Sequence, residues 1–167
     1  MIWWHEAQFA LWNRSNLLDR TLGWYEKAEP IARQIAQRQG FDGVRWMKMT
    51  DPSGTEAPSK VGSFLIWQQP HLIYLAELLY RADPTKEVLE KYNRLVQETA
   101  EFMYSFATYD ELEGRYILKG AIPAQETLRA AETVNPPFEL SYWHFAMQTA
   151  QQWRERMGQQ RSWNGMK

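Results

Sequence analysis

The chain has 167 residues, the size of one ordinary domain and long enough to bury a hydrophobic core. Its 19 basic and 20 acidic residues give a formal net charge of -1, which is not the basic excess typical of nucleic-acid-binding proteins. The sequence contains no apolar run of about 18 residues, which argues against a membrane-spanning helix. We therefore predict a single domain, residues 1–167, whose partners are neither nucleic acids nor membranes.

The composition is rich in aromatic residues, at 14%, with nine Trp. Tryptophan packs against the apolar faces of sugar rings as well as against other core side chains, so the excess indicates a carbohydrate ligand while core packing remains the alternative. Cysteine is absent, which excludes disulfides and thiolate chemistry. The N-terminal residues do not resemble a signal peptide, and the cellular location stays open.

Apolar residues spaced three and four positions apart predict the first two helices, over residues 2–14 and 16–39. Pro30 should kink the second helix, and Gly40 should end it. A third helix is predicted over 64–82, with Pro70 in its first turn or at a kink. The fourth should begin at the cap-like pair Asp83-Pro84 and end near Phe106. The fifth should cover residues 135–157.

The second and fourth helices are amphipathic, as outer helices are, whereas the first, third and fifth are apolar nearly all round, as inner helices are. A short link joins the third helix to the fourth. The connections over 41–62 and 108–134 are long, and loops of this length in compact domains are usually functional. We predict an all-α fold of successive α-hairpins with little β structure, in which both long loops lie at the same end.

The long loops carry the residues best suited to chemistry. The first combines Trp46, Lys48 and Glu56 around the turn Asp51-Pro52-Ser53-Gly54, a mixture suited to a sugar ring face and its hydroxyls, although the same residues also form an ordinary turn. In the second loop, a β-prone run ends at a proline and leads to Glu126. A glycosidase general acid needs a partly desolvated carboxyl group on a fixed backbone. Glu126 fits that role, but it could equally cap a short helix over 126–131.

Further polar residues lie on the three predicted inner helices. His5, His71 and His144 each fall early in one of these helices, but their spacing is not a metal-binding motif, and we predict neither a metal nor a cofactor. The acidic residues of these helices are Glu6, Glu77 and Glu139. Each could contact a substrate or could be a core residue whose hydrogen bonds are satisfied within the protein. We favour substrate contact only for Glu139.

Four motifs together resemble the catalytic domain of glycoside hydrolase family 65-like proteins, within the six-hairpin glycosidase superfamily. They are Gly43-Val44-Arg45-Trp46-Met47-Lys48-Met49-Thr50 with Gly54-Thr55-Glu56, Ile66-Trp67-Gln68-Gln69-Pro70-His71, Ile122-Pro123-Ala124-Gln125-Glu126, and Asn135-Pro136-Pro137-Phe138-Glu139-Leu140. The resemblance extends over about residues 3–156. It implies an α/α toroid and an inverting glycosidase.

The resemblance implies roles for individual residues. Glu126 takes the place of the general acid, although Gln125 and the displaced Pro123 depart from the family's loop. The predicted substrate-binding residues are Trp46, Lys48, Glu56, Trp67, Gln68, Gln69, His71 and Glu139. No phosphate-binding loop of the phosphorylases in this family is found.

A complete toroid of this kind has six hairpins, so the helices predicted here suggest an incomplete toroid, a glycoside hydrolase or a fragment of one. We expect an oligo- or monosaccharide ligand, little activity from an isolated monomer, and self-association through exposed faces of inner helices. The alternatives are a non-catalytic sugar-binding module and a helical oligomerisation module.

Overall fold

The computed structural model describes residues 2–124 and 128–163, and within them the fold is all-α with one small hairpin. This confirms the predicted fold class. None of the described helices is long and apolar enough to cross a membrane. The helices are α1 (Ile2–Leu11), α2 (Ser15–Arg38), α3 (His71–Ala82), α4 (Lys86–Phe106) and α5 (Pro137–Arg156), and the antiparallel hairpin pairs β1 (Thr108–Asp110) with β2 (Arg115–Ile117).

The boundaries of α2 lie within one residue of the prediction, and this helix continues through the exposed Pro30. The start of α4 was predicted wrongly. Thr85 is its N-cap, and the Thr85 hydroxyl accepts a hydrogen bond from the Val88 amide at 3.4 Å. Thr85 has an extended backbone, and its side chain caps the first turn of the helix. The helix therefore begins at the next residue, Lys86, and not at Asp83-Pro84.

The start of α3 was also predicted wrongly, because α3 begins at His71 and not at residue 64. A short 3-10 turn occupies Gly62–Phe64, and turns lead from there to Pro70, the N-cap residue. This backbone is not helical, because the side chains of Gln68 and Gln69 bind the backbone of the first long loop. The Gln69 carboxamide accepts from the Trp46 amide at 2.9 Å and donates to the Val44 carbonyl at 2.7 Å.

Helix α3 is central, in contact with α1, α2, α4 and α5. It is buried as predicted for an inner helix, with Leu72, Ile73, Leu75 and Ala76 fully enclosed. Helix α1 differs from the prediction, because it lies at the edge and buries only Ala7. Trp4 and Leu11 on this helix and Trp12 directly after it are 74%, 84% and 73% exposed.

Both long loops leave from the same end of the helices, as predicted. The C-terminal ends of α2 and α4 meet there, where Phe41 packs on Phe106 at 5.2 Å. The segment after the first loop then contacts the second loop, since the Ile122 amide donates to the Phe64 carbonyl at 2.9 Å. Helices α3 and α5 both begin at this end, which brings their first turns together.

The opposite end of the α3–α5 pair is joined by a cluster that we call the Glu77 network, formed by Glu77, Arg81, Trp153 and Arg156. Both Glu77 oxygens accept bonds: one from Arg81 (2.9 Å) and Arg156 (3.2 Å), the other from the Trp153 indole (2.9 Å) and Arg156 (2.7 Å). These donors hold the pKa of Glu77 below its usual range despite the opposing effect of burial. Glu77 is therefore a satisfied core residue.

Candidate functional site

An aromatic cleft of about 720 Å³ lies where the first turns of α3 and α5 approach α1. Its volume is within the range of small-molecule binding sites, which are mostly apolar with a few polar groups. The sequence predicted three of its residues as ligand contacts, namely Lys48, Trp67 and His71. The remaining lining residues come from the edge helix, the first long loop and α5: Trp3, Trp4, Met49, Phe138, Ser141, Tyr142 and Phe145.

The cleft walls form a continuous chain of aromatic contacts. Tyr142 is central, with ring centres 5.6 Å from His71, 6.1 Å from Phe138 and 6.3 Å from Phe145. On the α1 side, Trp3 packs against Tyr74 at 5.4 Å, and Tyr74 packs against Phe145 at 5.9 Å. These rings fix one another, so the cleft offers preformed flat surfaces.

Polar residues of the cleft are few: His71 is buried, Tyr142 is half-buried, and Lys48 and Ser141 are exposed. The His71 Nδ1 atom lies 3.0 Å from the Tyr142 hydroxyl. Burial lowers the pKa of His71 to about 4, so its imidazole is neutral near pH 7. Burial also raises the pKa of Tyr142 well above its usual range, which keeps the phenol protonated. The indole nitrogen of Trp67 is enclosed and has no partner among the described residues.

Glu139, in the first turn of α5, holds the second long loop. It is 1% exposed, and one of its oxygens accepts from the Ala124 amide at 2.7 Å. Its other oxygen is enclosed and makes no hydrogen bond within the described part of the chain. Ala124 precedes the predicted general acid by two positions. Glu126 itself lies outside the described residues.

Three predicted contact residues lie beneath the cleft and do not line it. The buried Trp46 donates its indole N–H to Thr99 at 2.9 Å and packs edge-on against Tyr25. Gln68 donates to the Trp46 carbonyl at 2.9 Å, and Gln69 binds the same loop backbone. This part of the long loop is therefore a support for the cleft.

Two other clefts are lined by residues that the sequence analysis named as candidates, Glu56 and His144. Glu56 pairs with Arg38 at 2.8 Å in a cleft of about 420 Å³ on α2. His144 lines a cleft of about 510 Å³ between β2 and α5, whereas His71 lines the aromatic cleft and His5 is exposed. Within residues 2–124 and 128–163, no three His, Asp or Glu side chains are placed to share a metal ion.

The sequence analysis missed Trp3, Tyr142 and Phe145 as site residues. A signal for two of them was present, because Phe138, Tyr142 and Phe145 recur at the four- and three-residue steps of one helix face. Such a stripe is also the pattern of a buried helix face. Only the arrangement of α1, α3 and α5 around the cleft shows that this stripe borders it.

The geometry supports binding more directly than it supports a bond-breaking step. Flat aromatic surfaces and a neutral imidazole suit an uncharged ligand with apolar faces and several oxygens. Comparison with protein-family models and with curated protein sequences gives no match to this chain.

Proposed function

We propose that this chain is part of a glycoside hydrolase catalytic domain and that a saccharide binds in the aromatic cleft. The observation that carries the proposal is the cleft itself, where aromatic walls surround the His71–Tyr142 pair. Sugar rings have apolar C–H faces that pack on aromatic rings, and they have hydroxyl groups at their edges. Both kinds of complementary surface occur together in this cleft.

The catalytic part of the proposal assigns Glu126 as the general acid of an inverting reaction, as the family resemblance implies. A general acid must be held on a fixed backbone beside the glycosidic oxygen. The Glu139–Ala124 hydrogen bond supports this assignment, because it anchors the backbone of the same loop from a buried carboxylate. The catalytic base is not assigned to any residue of this chain.

A non-catalytic saccharide-binding module is the second candidate. It is favoured by the fact that the described cleft residues form a ligand-sized site without any assigned acid or base. A Glu126→Gln variant distinguishes the two candidates, since it abolishes turnover by an enzyme and leaves binding by a module unchanged.

Saccharide binding is tested by isothermal titration calorimetry with glucose, maltose, cellobiose and a wider set of neutral oligosaccharides. We expect Trp67→Ala to lower the affinity at least tenfold, because it removes one wall of the cleft. Tyr109→Ala is the control, since Tyr109 is a half-exposed aromatic residue of β1 that does not line the cleft. The proposal fails if no saccharide binds, or if both variants bind like the wild type.

Catalysis is tested by release of reducing sugar from the saccharides that bind. The isolated monomer should show little turnover, because an open site hydrates the acid and removes the raised pKa that a general acid needs. Any turnover should disappear in Glu126→Gln and persist in Glu111→Gln, which changes an exposed carboxylate in the hairpin turn. Vigorous turnover by a demonstrably monomeric sample would contradict the incomplete-toroid part of the proposal.

Self-association is the partner interaction that we propose. Trp4, Leu11 and Trp12 form an exposed apolar stretch at α1, and such surfaces mark interfaces or aggregation-prone regions. Trp3 and Phe145 are not suitable test positions for this interaction, because both pack within the cleft. Replacing Leu11 and Trp12 with Ser should dissociate an oligomer in light scattering across a dilution series, and a strictly monomeric wild type would rule out the interaction.

A further inference from the structure

The His71 side chain has one ring nitrogen engaged and one available to the cleft. His71 is 7% exposed and lines the cleft, and its Nδ1–Tyr142 contact is its only hydrogen bond within residues 2–124 and 128–163. Its Nε2 atom is not among the fully enclosed, unpartnered atoms of that part of the chain, which belong to Glu6, Trp67, Gln68 and Glu139. A ligand in the cleft can therefore reach Nε2.

The direction of the His71–Tyr142 hydrogen bond follows from the proton of the Tyr142 hydroxyl. Nδ1 of His71 is the atom that lies within hydrogen-bond distance of this hydroxyl. Tyr142 keeps its own proton, and that proton needs an acceptor. The acceptor at hand is Nδ1 of His71, at 3.0 Å. A neutral imidazole that accepts at Nδ1 carries its proton on Nε2.

We infer that the Tyr142 hydroxyl donates to Nδ1 of His71 and thereby fixes His71 as the Nε2–H tautomer, and that this N–H donates to a saccharide oxygen in the cleft, which completes a hydrogen-bond chain from Tyr142 to the ligand. Tyr142 acts as a positioning residue, and His71 is the residue that contacts the ligand. Successive bonds in such a chain polarise one another, which strengthens the terminal donor. Because burial holds the His71 pKa near 4, the neutral form on which the chain depends is present near pH 7.

This arrangement narrows the class of ligand group that the cleft recognises beside His71. A fixed N–H donor requires a lone pair, so it selects a ring, glycosidic or hydroxyl oxygen and disfavours an ammonium group at that point. The ligand half of the inference rests on the proposed function. The tautomer half rests only on the geometry of the Tyr142 and His71 side chains, so each half can fail without the other.

The tautomer is tested by long-range ¹H–¹⁵N correlation spectra of the full chain labelled on its histidines. The exposed His5 and His144 are assigned through His5→Gln and His144→Gln. We expect the Nε2–H pattern for His71 at pH 7. Tyr142→Phe, which keeps the ring and removes the donor, should produce a mixture of both tautomers. Tyr104→Phe is the matched control, because Tyr104 pairs with Tyr116 outside the cleft.

An Nδ1–H pattern in the wild type would overturn the inference, and so would an unchanged tautomer in Tyr142→Phe. The wild-type spectrum decides the first point even if the variant does not fold, and amide spectra of each variant report folding.

The ligand half is tested by titrating the same labelled protein with glucose, maltose and cellobiose. A saccharide that binds should shift the His71 Nε2 resonance, and Tyr142→Phe should weaken its binding about 5- to 10-fold, as expected for the loss of one well-oriented hydrogen bond. Tyr104→Phe should bind like the wild type. Binding that leaves Nε2 unshifted and is equally strong in Tyr142→Phe would overturn the donor role. Absence of binding by any of these saccharides would count against the proposed function and leave the tautomer result standing.

Discussion

The two ends of the α3–α5 pair differ in how completely their polar atoms are satisfied. At the end where both helices finish, the Glu77 network gives each carboxylate oxygen two donors. At the end where both begin, the Trp67 indole nitrogen and one Glu139 oxygen are enclosed and lack partners among the described residues. Unpaired buried polar atoms cost stability, so the comparison indicates that the satisfied end contributes more to the stability of the fold than the end that carries the cleft.

The largest expected effect is at the satisfied end. Glu77→Gln removes a buried negative charge that two arginines share, and we expect a loss of about 3 kcal/mol in the free energy of unfolding, since breaking a buried ion pair on one side is costly. Urea unfolding followed by circular dichroism measures this. Glu90→Gln, in an exposed pair with Lys86, is the control and should change little. A Glu77 effect as small as that of the control would contradict the role of the network.

A smaller effect is the pH dependence of the free energy of unfolding, which differs between the two ends. The folded-state pKa of His71 is about 4 against 6.5 for the free side chain, so the unfolded chain binds more protons as the pH falls below 6.5. His71 should therefore remove about 2 kcal/mol of stability between pH 6.5 and 4.5, because each unit of pKa shift corresponds to about 1.4 kcal/mol. The His71→Gln variant should lack this part of the slope, and His144→Gln should retain it. Equal slopes in all three proteins would contradict a buried, neutral His71.

The pH range of the Glu77 network is different. The folded-state pKa of Glu77 is below the usual 4.5, so its contribution is present above pH 4.5 and is lost as the pH falls from there through the lowered pKa. The stability difference between wild type and Glu77→Gln should consequently shrink only below pH 4.5. A difference that shrinks between pH 6.5 and 5 would show that another group is responsible.

The smallest expected effect comes from the same substitution at the other end. Glu139→Gln retains an oxygen for the Ala124 amide and removes a buried charge that lacks a second partner in the described structure. The favourable interaction of Glu139 with the N-terminus of α5 is lost as well, so the two effects oppose each other. We expect a change within about 1 kcal/mol of zero, far less than for Glu77→Gln. Equal losses at both positions would remove the contrast between the two ends.

Much of the fold could be predicted from the sequence, because long amphipathic patterns determine α2 and α4 almost completely. The start of α3 could not be predicted, because Gln68 and Gln69 bind the backbone of a loop more than 20 positions away in the sequence. The exposure of α1 was missed for a similar reason, since an apolar helix looks the same whether or not a neighbour covers it.

The site was predicted in part. Lys48, Trp67 and His71 line the cleft. Trp46 was predicted as a substrate contact, but its side chain is buried in the core and does not line the cleft. The pairing of Tyr142 with His71 could not be recognised from sequence, because it exists only when α3 and α5 pack together.

The central claim is that the aromatic cleft binds a saccharide, and the indole N–H signals of the tryptophans test it within one spectrum. During titration with the neutral saccharide panel, the Trp67 and Trp3 signals should shift together along one binding curve. The Trp153 signal, held by Glu77 at the satisfied end, should stay in place. The account is contradicted if no saccharide shifts Trp67, or if Trp153 shifts as much as Trp67 does.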